Sequence, residues 1–225
     1  MRNTSFARLG VTAGLIFGAV HAHAASVDFT GYANGSETIT YTLSAPNVAK
    51  VNTVGAGGFV TILNGGPSFT SYCIDLYQTL NFADPAYTGY NIVPGSLHAF
   101  ANSNANVDLG RLFGAGHTIS DSVTSAAFQV AIWEIAYETS GTYDLTKGSA
   151  TFAGGAGGPT SALTLANTWL GSLGSHGVSI TALESAEHQD VVYATPVPEP
   201  ETYALMLAGL GVVCWLGRKG RRQAA

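Results

Sequence analysis

The sequence predicts an α+β fold, in which a β-rich body of sandwich or barrel type carries a helical insertion. Short apolar or alternating runs separated by glycine and proline fill residues 27–93, a pattern that is typical of strands. Residues 121–173 instead repeat apolar side chains at helical spacing, and 190–194 return to a strand pattern. A chain of 225 residues suits one domain with processing segments at its ends.

Four strands are predicted in the β-rich part: Glu37–Leu43, Phe59–Leu63, 69–80 and 87–93. The first alternates polar and apolar residues as a half-buried strand does, and the second is an apolar run bounded by glycine pairs. In the third, the alternation places Cys73 and Asp75 on one face and Tyr72 on the other. Pro94 and Gly95 form a turn dipeptide that closes the fourth.

Two helices are predicted after the strands. Asp121 is the expected N-cap of a helix that ends near Glu138, and a second helix is expected at 161–173. The glycine-rich residues 154–159 join them and lack the Lys-Ser/Thr of a phosphate-binding loop, so they are interpreted as a connector. Glu134 and Glu138 lie one helical turn apart and are expected on a solvated face.

The charge distribution excludes one class of partner. Only 10% of the residues are charged, and residues 25–197 contain three basic and twelve acidic residues, a net charge of −9. A surface so poor in cations cannot neutralise phosphates, so binding to nucleic acid is excluded and an anionic membrane surface is disfavoured. The histidines and carboxylates do not follow zinc or calcium spacing, so we expect no metal and no cofactor.

The N-terminus has the composition of a secretory signal. Arg2 and Arg8 precede an apolar stretch at 9–20, and Ala22-His23-Ala24 is a small-x-small cleavage site. The apolar stretch is too short for a bilayer span, which needs about 20 residues. We therefore expect signal peptidase to remove residues 1–24 and export a domain at 25–195.

The C-terminus combines three parts. Pro198-Glu199-Pro200 is followed by an apolar segment at 203–216 and then by the terminal cations 218–222. An apolar segment followed by cations stops translocation, and about 21 Å of helix is short for a permanent span. The pattern favours transient insertion in the inner membrane followed by cleavage.

Residues 196–225 closely resemble the PEP-CTERM sorting signal of Gram-negative bacteria, since motif, apolar segment and basic tail occur in that order. The resemblance implies cleavage by an exosortase-type membrane protease. It also implies a final location at the cell surface or in the extracellular, exopolysaccharide-rich matrix.

Cys73 is the single cysteine of the predicted exported domain, because Cys214 lies in the terminal apolar segment. A leftover thiol in an exported protein is open to oxidation and needs an explanation. Three explanations remain open at this point: a buried inert residue, a catalytic nucleophile, or a thiol consumed in another bond.

Two local strings resemble the signatures of the thioester domains of Gram-positive surface adhesins. One is Tyr72-Cys73-Ile74-Asp75, the other is Phe128-Gln129-Val130-Ala131-Ile132-Trp133, and a Pro-Gly turn at Pro94 and Gly95 lies between them. The resemblance implies an internal thioester between the Cys73 thiol and the Gln129 acyl group. The implied supporting residues are Tyr72, Asp75, Pro94, Gly95 and Trp133.

Two residues depart from that family's pattern. Phe128 stands where the family usually has Thr, and Leu76 stands where an Arg often follows the Asp. Both positions bear on how the bond forms and is protected. Trp133, one helical turn after Gln129, is expected to pack beside the bond and exclude water.

The sequence thus predicts an exported surface or biofilm-matrix protein that attaches covalently to an amine or hydroxyl nucleophile, for example on an exopolysaccharide. Such an attachment is used once, so the protein is not expected to be an enzyme. Two alternatives remain open. One is a passive matrix or adhesion module without the bond, and the other is a cysteine hydrolase that uses Cys73, Asp75 and His98 or His117.

Overall fold

The computed structural model describes residues 24–44, 46–154, 160–195 and 206–211. The predicted signal peptide up to residue 23, the sorting motif Pro198-Glu199-Pro200 and residues 155–159 of the glycine-rich connector lie outside the described residues. The strands are β1 (Ala25–Tyr32), β2 (Glu37–Leu43), β3 (Lys50–Ala56), β4 (Phe59–Leu63), β5 (Ser68–Cys73), β6 (Tyr87–Pro94), β7 (Ala150–Gly154), β8 (Ile180–Glu184) and β9 (Val191–Ala194). The helices are α1 (Ala105–Gly114), α2 (Ser122–Tyr137) and α3 (Thr160–Leu170), with a 3₁₀ turn at Gly95–Leu97.

Within these residues six strands close a barrel in the order β1-β4-β5-β9-β8-β6, and β3-β2-β7 form a separate sheet. The strand neighbours of both sheets pair antiparallel. The predicted α+β fold with a β-rich body is therefore confirmed, and the body is a barrel with a small sheet beside it.

Strand β1 closes the barrel because it pairs with β4 on one side and with β6 on the other. Its alternating Ala25, Val27 and Phe29 are all buried, as the two-residue period of a strand requires. The Phe29 ring packs edge-on to Phe59 at 5.8 Å and to Tyr90 at 6.3 Å. These aromatic contacts fill the barrel interior.

Helix α2 begins and ends as the sequence predicts. The Asp121 carboxylate accepts a hydrogen bond from the Thr124 N–H at 2.8 Å, and the Thr124 hydroxyl accepts one from the Asp121 N–H at 3.1 Å. This reciprocal capping box stabilises the first turn. Glu138 is the C-cap, and its N–H donates to the Glu134 carbonyl.

The surroundings of α2 differ from the prediction. The helix contacts strand β5 of the barrel, all three strands of the small sheet, and both other helices, so residues 125–137 are buried on every face. The expectation of a solvated face at Glu134 and Glu138 is wrong, because these residues are only 0% and 1% exposed. A helix that is apolar on nearly every face packs at the centre of a fold.

The predicted strand 69–80 is too long. β5 ends at Cys73, which pairs with Val191 of β9. The Ile74 N–H still donates to the Asp190 carbonyl, but the Asp75 carboxylate then accepts the Tyr77 N–H at 2.7 Å and turns the chain. The predicted alternation of faces beyond Cys73 is therefore lost.

Smaller differences concern other boundaries. Helix α3 ends at Leu170 where 161–173 was predicted, and β9 begins one residue after the predicted start of the last strand. The predicted apolar segment 203–216 is described only over 206–211, as a helical stretch whose residues are exposed. Of the helices described, none combines the length and the apolar character that crossing a membrane requires.

Candidate functional site

The carboxamide of Gln129 lies against the backbone of Cys73. Cys73 ends β5 and is 1% exposed, whereas Gln129 lies in the middle of α2 and is 0% exposed. The Cys73 N–H donates to Gln129 Oε1 at 2.9 Å, and Gln129 Nε2 donates to the Cys73 carbonyl at 2.8 Å. The side-chain amide thus pairs with the last residue of β5 as a neighbouring strand would. The two residues that the sequence predicts as thioester partners are brought together.

The direction of the first bond has a chemical consequence. A backbone N–H that donates to a carbonyl oxygen at 2.9 Å polarises that carbonyl. The same N–H is within the distance at which oxyanion-hole donors stabilise a tetrahedral intermediate. The Gln129 carbonyl carbon is therefore made more electrophilic by the residue that carries the thiol.

The Cys73 thiol is neutral in this environment. Its Sγ donates to the Asp75 carbonyl oxygen at 3.2 Å. Burial raises the pKa of the Cys73 thiol to about 12, the Trp133 indole lowers it in part, and the negative charges of Asp75 and Asp190 raise it further. A thiol with such a pKa stays protonated at neutral pH.

Trp133 packs as expected beside the pair. The side chain is buried, its ring stacks on Phe152 with a centroid distance of 6.2 Å, and Tyr41 lies at 6.4 Å. The indole N–H forms no hydrogen bond of ordinary geometry, yet it lies close enough to the sulfur to lower the thiol pKa. The ring therefore covers the Cys73 side of the site.

A cavity of about 200 Å³ borders the thiol, and we call it the Cys73 cavity. Its lining combines aromatic and amide side chains, among them Tyr32, Tyr41, Phe59, Phe82, Gln78 and Gln189. Cys73, Trp133 and Lys50 also line it, whereas Gln129 does not. The cavity therefore offers space for a small group beside Cys73.

Lys50 supplies a cation to this cavity. Its ammonium donates to the Leu76 carbonyl at 2.7 Å and to the Tyr77 carbonyl at 3.4 Å. It also lies 5.6 Å from the centre of the Tyr77 ring. At the position where the thioester-domain pattern often has an Arg, this chain has Leu76, and a cation from β3 binds the Leu76 backbone. Lys50 was not predicted as a site residue, because the sequence distinguishes it only as one of three basic residues in 25–197.

Tyr72 and Phe128 lie in a different aromatic cluster. Their ring centroids are 4.8 Å apart, and the Phe113 ring contacts both. The cluster borders a larger, mainly apolar cavity of about 620 Å³ that Cys73 does not line. The Phe128 departure is thus accommodated within this cluster.

Pro94 and Gly95 are not part of the Cys73 site. Pro94 pairs with Thr181 of β8, and Gly95 begins the 3₁₀ turn close to the Ile180 side chain. In the described ranges neither residue forms a hydrogen bond with Cys73 or Gln129, and neither lines the Cys73 cavity. The Asp75 carboxylate accepts the Tyr77 N–H, so Asp75 acts on the thiol mainly through its carbonyl and its charge.

The hydrolase constellation does not assemble. His98 Nδ1 lies 2.5 Å from Glu184 Oε1, and the His117 ring stacks on Trp169 at 4.3 Å. In the part of the chain that the structure describes, no histidine forms a hydrogen bond with Cys73. The same part contains no cluster of three or more His, Cys, Asp or Glu side chains suited to a metal ion. Among the described residues, the predicted pairing of Cys73 with His98 or His117 is therefore not formed.

Comparison with known proteins identifies the end of the chain. Residues 196–222 match the PEP-CTERM protein-sorting motif. The chain carries a PEP-CTERM sorting signal. This confirms the first resemblance and marks an exported surface protein that is processed at the membrane by an exosortase.

The fold is similar to two solved structures. One is the N-terminal thioester domain of fibronectin-binding protein SfbI from Streptococcus pyogenes, at 14% identity and a TM-score of 0.46, covering 83% of this chain and 100% of that one. The other is the N-terminal domain of the Streptococcus pyogenes pilus tip adhesin Cpa, at 16% identity and a TM-score of 0.45, covering 80% and 97%. No curated protein sequence matches the chain.

Proposed function

We propose that this PEP-CTERM protein is a surface or biofilm-matrix protein that attaches covalently to a partner through a thioester between Cys73 and Gln129. The observation that carries the proposal is the reciprocal pair of hydrogen bonds, at 2.9 and 2.8 Å, between the Gln129 carboxamide and the Cys73 backbone. The pair holds an amide group beside the cysteine that has to attack it, and such proximity supplies a large rate factor.

Bond formation needs only the groups present. The Cys73 sulfur attacks the Gln129 side-chain carbonyl carbon, and the Cys73 N–H stabilises the developing oxyanion. The thiol proton passes to the amide nitrogen, the carbon–nitrogen bond breaks, and ammonia leaves. Because the thiolate is the nucleophile, the buried Cys73 thiol has to give up its proton as the sulfur attacks, and that proton then goes to the leaving nitrogen.

Burial of both residues supports a bond that survives in water. Cys73 and Gln129 are almost fully buried, and Trp133 covers the site. A thioester carbonyl is electrophilic towards amines, hydroxyls and water, so exclusion of bulk water determines its lifetime. A partner nucleophile then breaks the acyl–sulfur bond, stays attached at residue 129 and frees the thiol. The attachment is used once, and the protein is therefore a binding module.

A passive module is the second candidate. The same pair of hydrogen bonds also anchors α2 to the end of β5 without any covalent bond, because it satisfies polar groups that are buried there. Intact mass separates the two candidates. In the covalent case the purified protein is lighter, by the mass of one ammonia, than its sequence requires, and methylamine adds its mass and exposes a thiol.

The deficit is expected to vanish in Cys73→Ala and in Gln129→Glu, each compared with its own calculated mass. Gln189→Ala is the matched control, since Gln189 lines the Cys73 cavity and its amide binds the Asp75 and Gln78 carbonyls. This variant should keep the deficit. If the protein of wild-type sequence has its full calculated mass and a titratable thiol, the covalent proposal is wrong and the passive module is favoured.

A further inference from the structure

The Cys73 cavity contains a fixed positive charge that thioester formation does not use. Two backbone carbonyls, those of Leu76 and Tyr77, hold the Lys50 ammonium in the cavity wall. A second ammonium that enters a volume of about 200 Å³ is repelled by this charge. Most of a lysine amine is protonated at neutral pH, whereas a hydroxyl is neutral. The charge therefore disfavours entry of the ammonium form and the positive charge that develops on an amine nitrogen as it attacks, whereas a neutral hydroxyl enters without this repulsion.

Two buried polar atoms of cavity-lining residues point to the same class of ligand. Gln78 Oε1 and Trp133 Nε1 have no hydrogen-bond partner among the described residues. The first accepts hydrogen bonds and the second donates one. A hydroxyl both donates and accepts, so it suits a cavity wall that offers one unpaired acceptor and one unpaired donor, whereas the ammonium form of an amine only donates.

The remaining wall is suited to a sugar ring. Tyr32, Phe59 and Phe82 line the cavity and pack against one another, with centroid distances of 4.9 Å for Tyr32–Phe82 and 5.6 Å for Phe59–Phe82. Such rings offer apolar surface to the C–H face of a sugar, while nearby amides such as that of Asn52 offer hydrogen bonds to its hydroxyls. The net charge of −9 over residues 25–197 repels acidic polymers.

We propose that the Cys73 cavity selects a hydroxyl of a neutral carbohydrate, rather than a protein lysine, as the nucleophile. This inference rests on the thioester proposed above. The hydroxyl oxygen bonds to the former Gln129 carbonyl carbon, the acyl–sulfur bond breaks, and the hydroxyl proton passes to the Cys73 sulfur. The products are an ester at residue 129 and a free thiol.

A charge substitution tests the selection. The chain is expressed in full, and its labelling by methylamine and by glycerol at neutral pH is followed by intact mass in the unmodified protein and in Lys50→Met. Loss of the cation should raise the methylamine rate roughly fivefold, the factor for a like charge about 4 Å away in water, and leave the glycerol rate unchanged. Lys147→Met is the control, because Lys147 is exposed and pairs with Asp144 outside the cavity. Lys147→Met should change neither the methylamine rate nor the glycerol rate.

A direct competition completes the test. With equal concentrations of maltotriose and Nα-acetyl-lysine, the maltotriose ester should be the main adduct, and hydroxylamine should release it. A predominant lysine adduct, or a methylamine rate that Lys50→Met leaves unchanged, overturns the carbohydrate inference and assigns the partner as protein. The ammonia deficit measured in each protein keeps the two proposals distinguishable. If the wild-type protein shows the ammonia deficit but prefers the lysine, only the carbohydrate inference fails. If the wild-type protein lacks the deficit, the thioester proposal fails as well.

Discussion

Glu134 of α2 and the C-cap residue Glu138 have opposite shifts of the carboxyl pKa although both are buried. Glu134 Oε1 accepts the Asp144 N–H at 2.8 Å, but Oε2 has no partner among the described residues. Burial raises the pKa of the Glu134 carboxyl to about 8, with further contributions from the charges of Glu138 and Asp144. Burial also acts on Glu138, yet hydrogen bonds from the Ser140 and Ser149 N–H groups outweigh it and lower the pKa.

Replacement of Glu134 by Gln should therefore change how stability depends on pH. The unfolded carboxyl has its ordinary pKa near 4.5 and the folded one about 8, so folding takes up a proton between these values. The contribution of Glu134 to the stability of the wild-type protein is fully present below the lower value and is lost as pH rises through the upper one. Glu134→Gln removes this loss. At pH about 9, urea unfolding should show the variant to be more stable than the wild-type protein by on the order of 3 kcal/mol.

Glu138→Gln is the matched control for Glu134→Gln. Its charged oxygens accept two backbone N–H groups, so the amide variant should be less stable than the unmodified protein at neutral pH. The same pH dependence in Glu134→Gln and the unmodified protein would contradict the assignment of a neutral carboxyl at this position.

At the scale of elements, α2 and β5 position the site. Helix α1 lies elsewhere and packs against residues 176–178. The Val178 N–H donates to the Gly110 carbonyl of α1 at 3.0 Å. A Cβ at Gly110 would lie 2.6 Å from the Val178 carbonyl oxygen, and one at Gly114 would lie 2.7 Å from that of His176. The helix therefore approaches the chain at 176–178 backbone to backbone, which requires glycine at both positions.

Gly110→Ala should destabilise the fold although alanine is the better helix former. Steric contact with the Val178 carbonyl is expected to cost about 1–3 kcal/mol, more than the gain of up to about 1 kcal/mol in helix propensity. Gly174→Ala is the control, because its Cβ would meet only the His176 nitrogen at 4.0 Å. Urea midpoints measure both. A Gly110→Ala protein as stable as the control would mean that α1 moves away from 176–178 without cost.

At the scale of the whole molecule, α2 connects the barrel to the small sheet, since it contacts β5 of the barrel and β2, β3 and β7 of the sheet. Cys73 and Gln129 are 56 residues apart in the chain. A bond between them would tie the barrel to the central helix and close a long loop that includes β6 and α1. Closing such a loop restricts the unfolded chain.

Opening the proposed thioester with methylamine should consequently lower the stability of the entire domain. The chain-entropy model gives about 4 kcal/mol for a loop of this length, an upper value because native-state strain reduces it. Thermal unfolding before and after treatment measures the change, and Cys73→Ala treated in the same way should not respond. Complete labelling without a shift of the midpoint would contradict a stabilising role for the cross-link.

Local patterns in the sequence were sufficient for several features. The N-cap at Asp121, the strands Glu37–Leu43 and Phe59–Leu63, and the PEP-CTERM signal depend on neighbouring residues, so periodicity and motif order predict them. The pairing of Cys73 with Gln129 followed from the resemblance of two short strings and not from periodicity. The end of β5 was missed, because Asp75 competes for a backbone N–H in a way that alternation does not reveal.

The sequence by itself determined the α+β class and the processing signal at the C-terminus, and its resemblance to thioester domains indicated the two residues of the proposed bond. Tertiary structure alone decided that Glu134 is buried, that Phe128 and Cys73 line separate cavities, and that Lys50 enters the wall of the Cys73 cavity. The physical reason is the range of the interactions. A cap or a strand is stabilised within a few residues, whereas the cation reaches Leu76 only because folding brings segments 26 residues apart into contact.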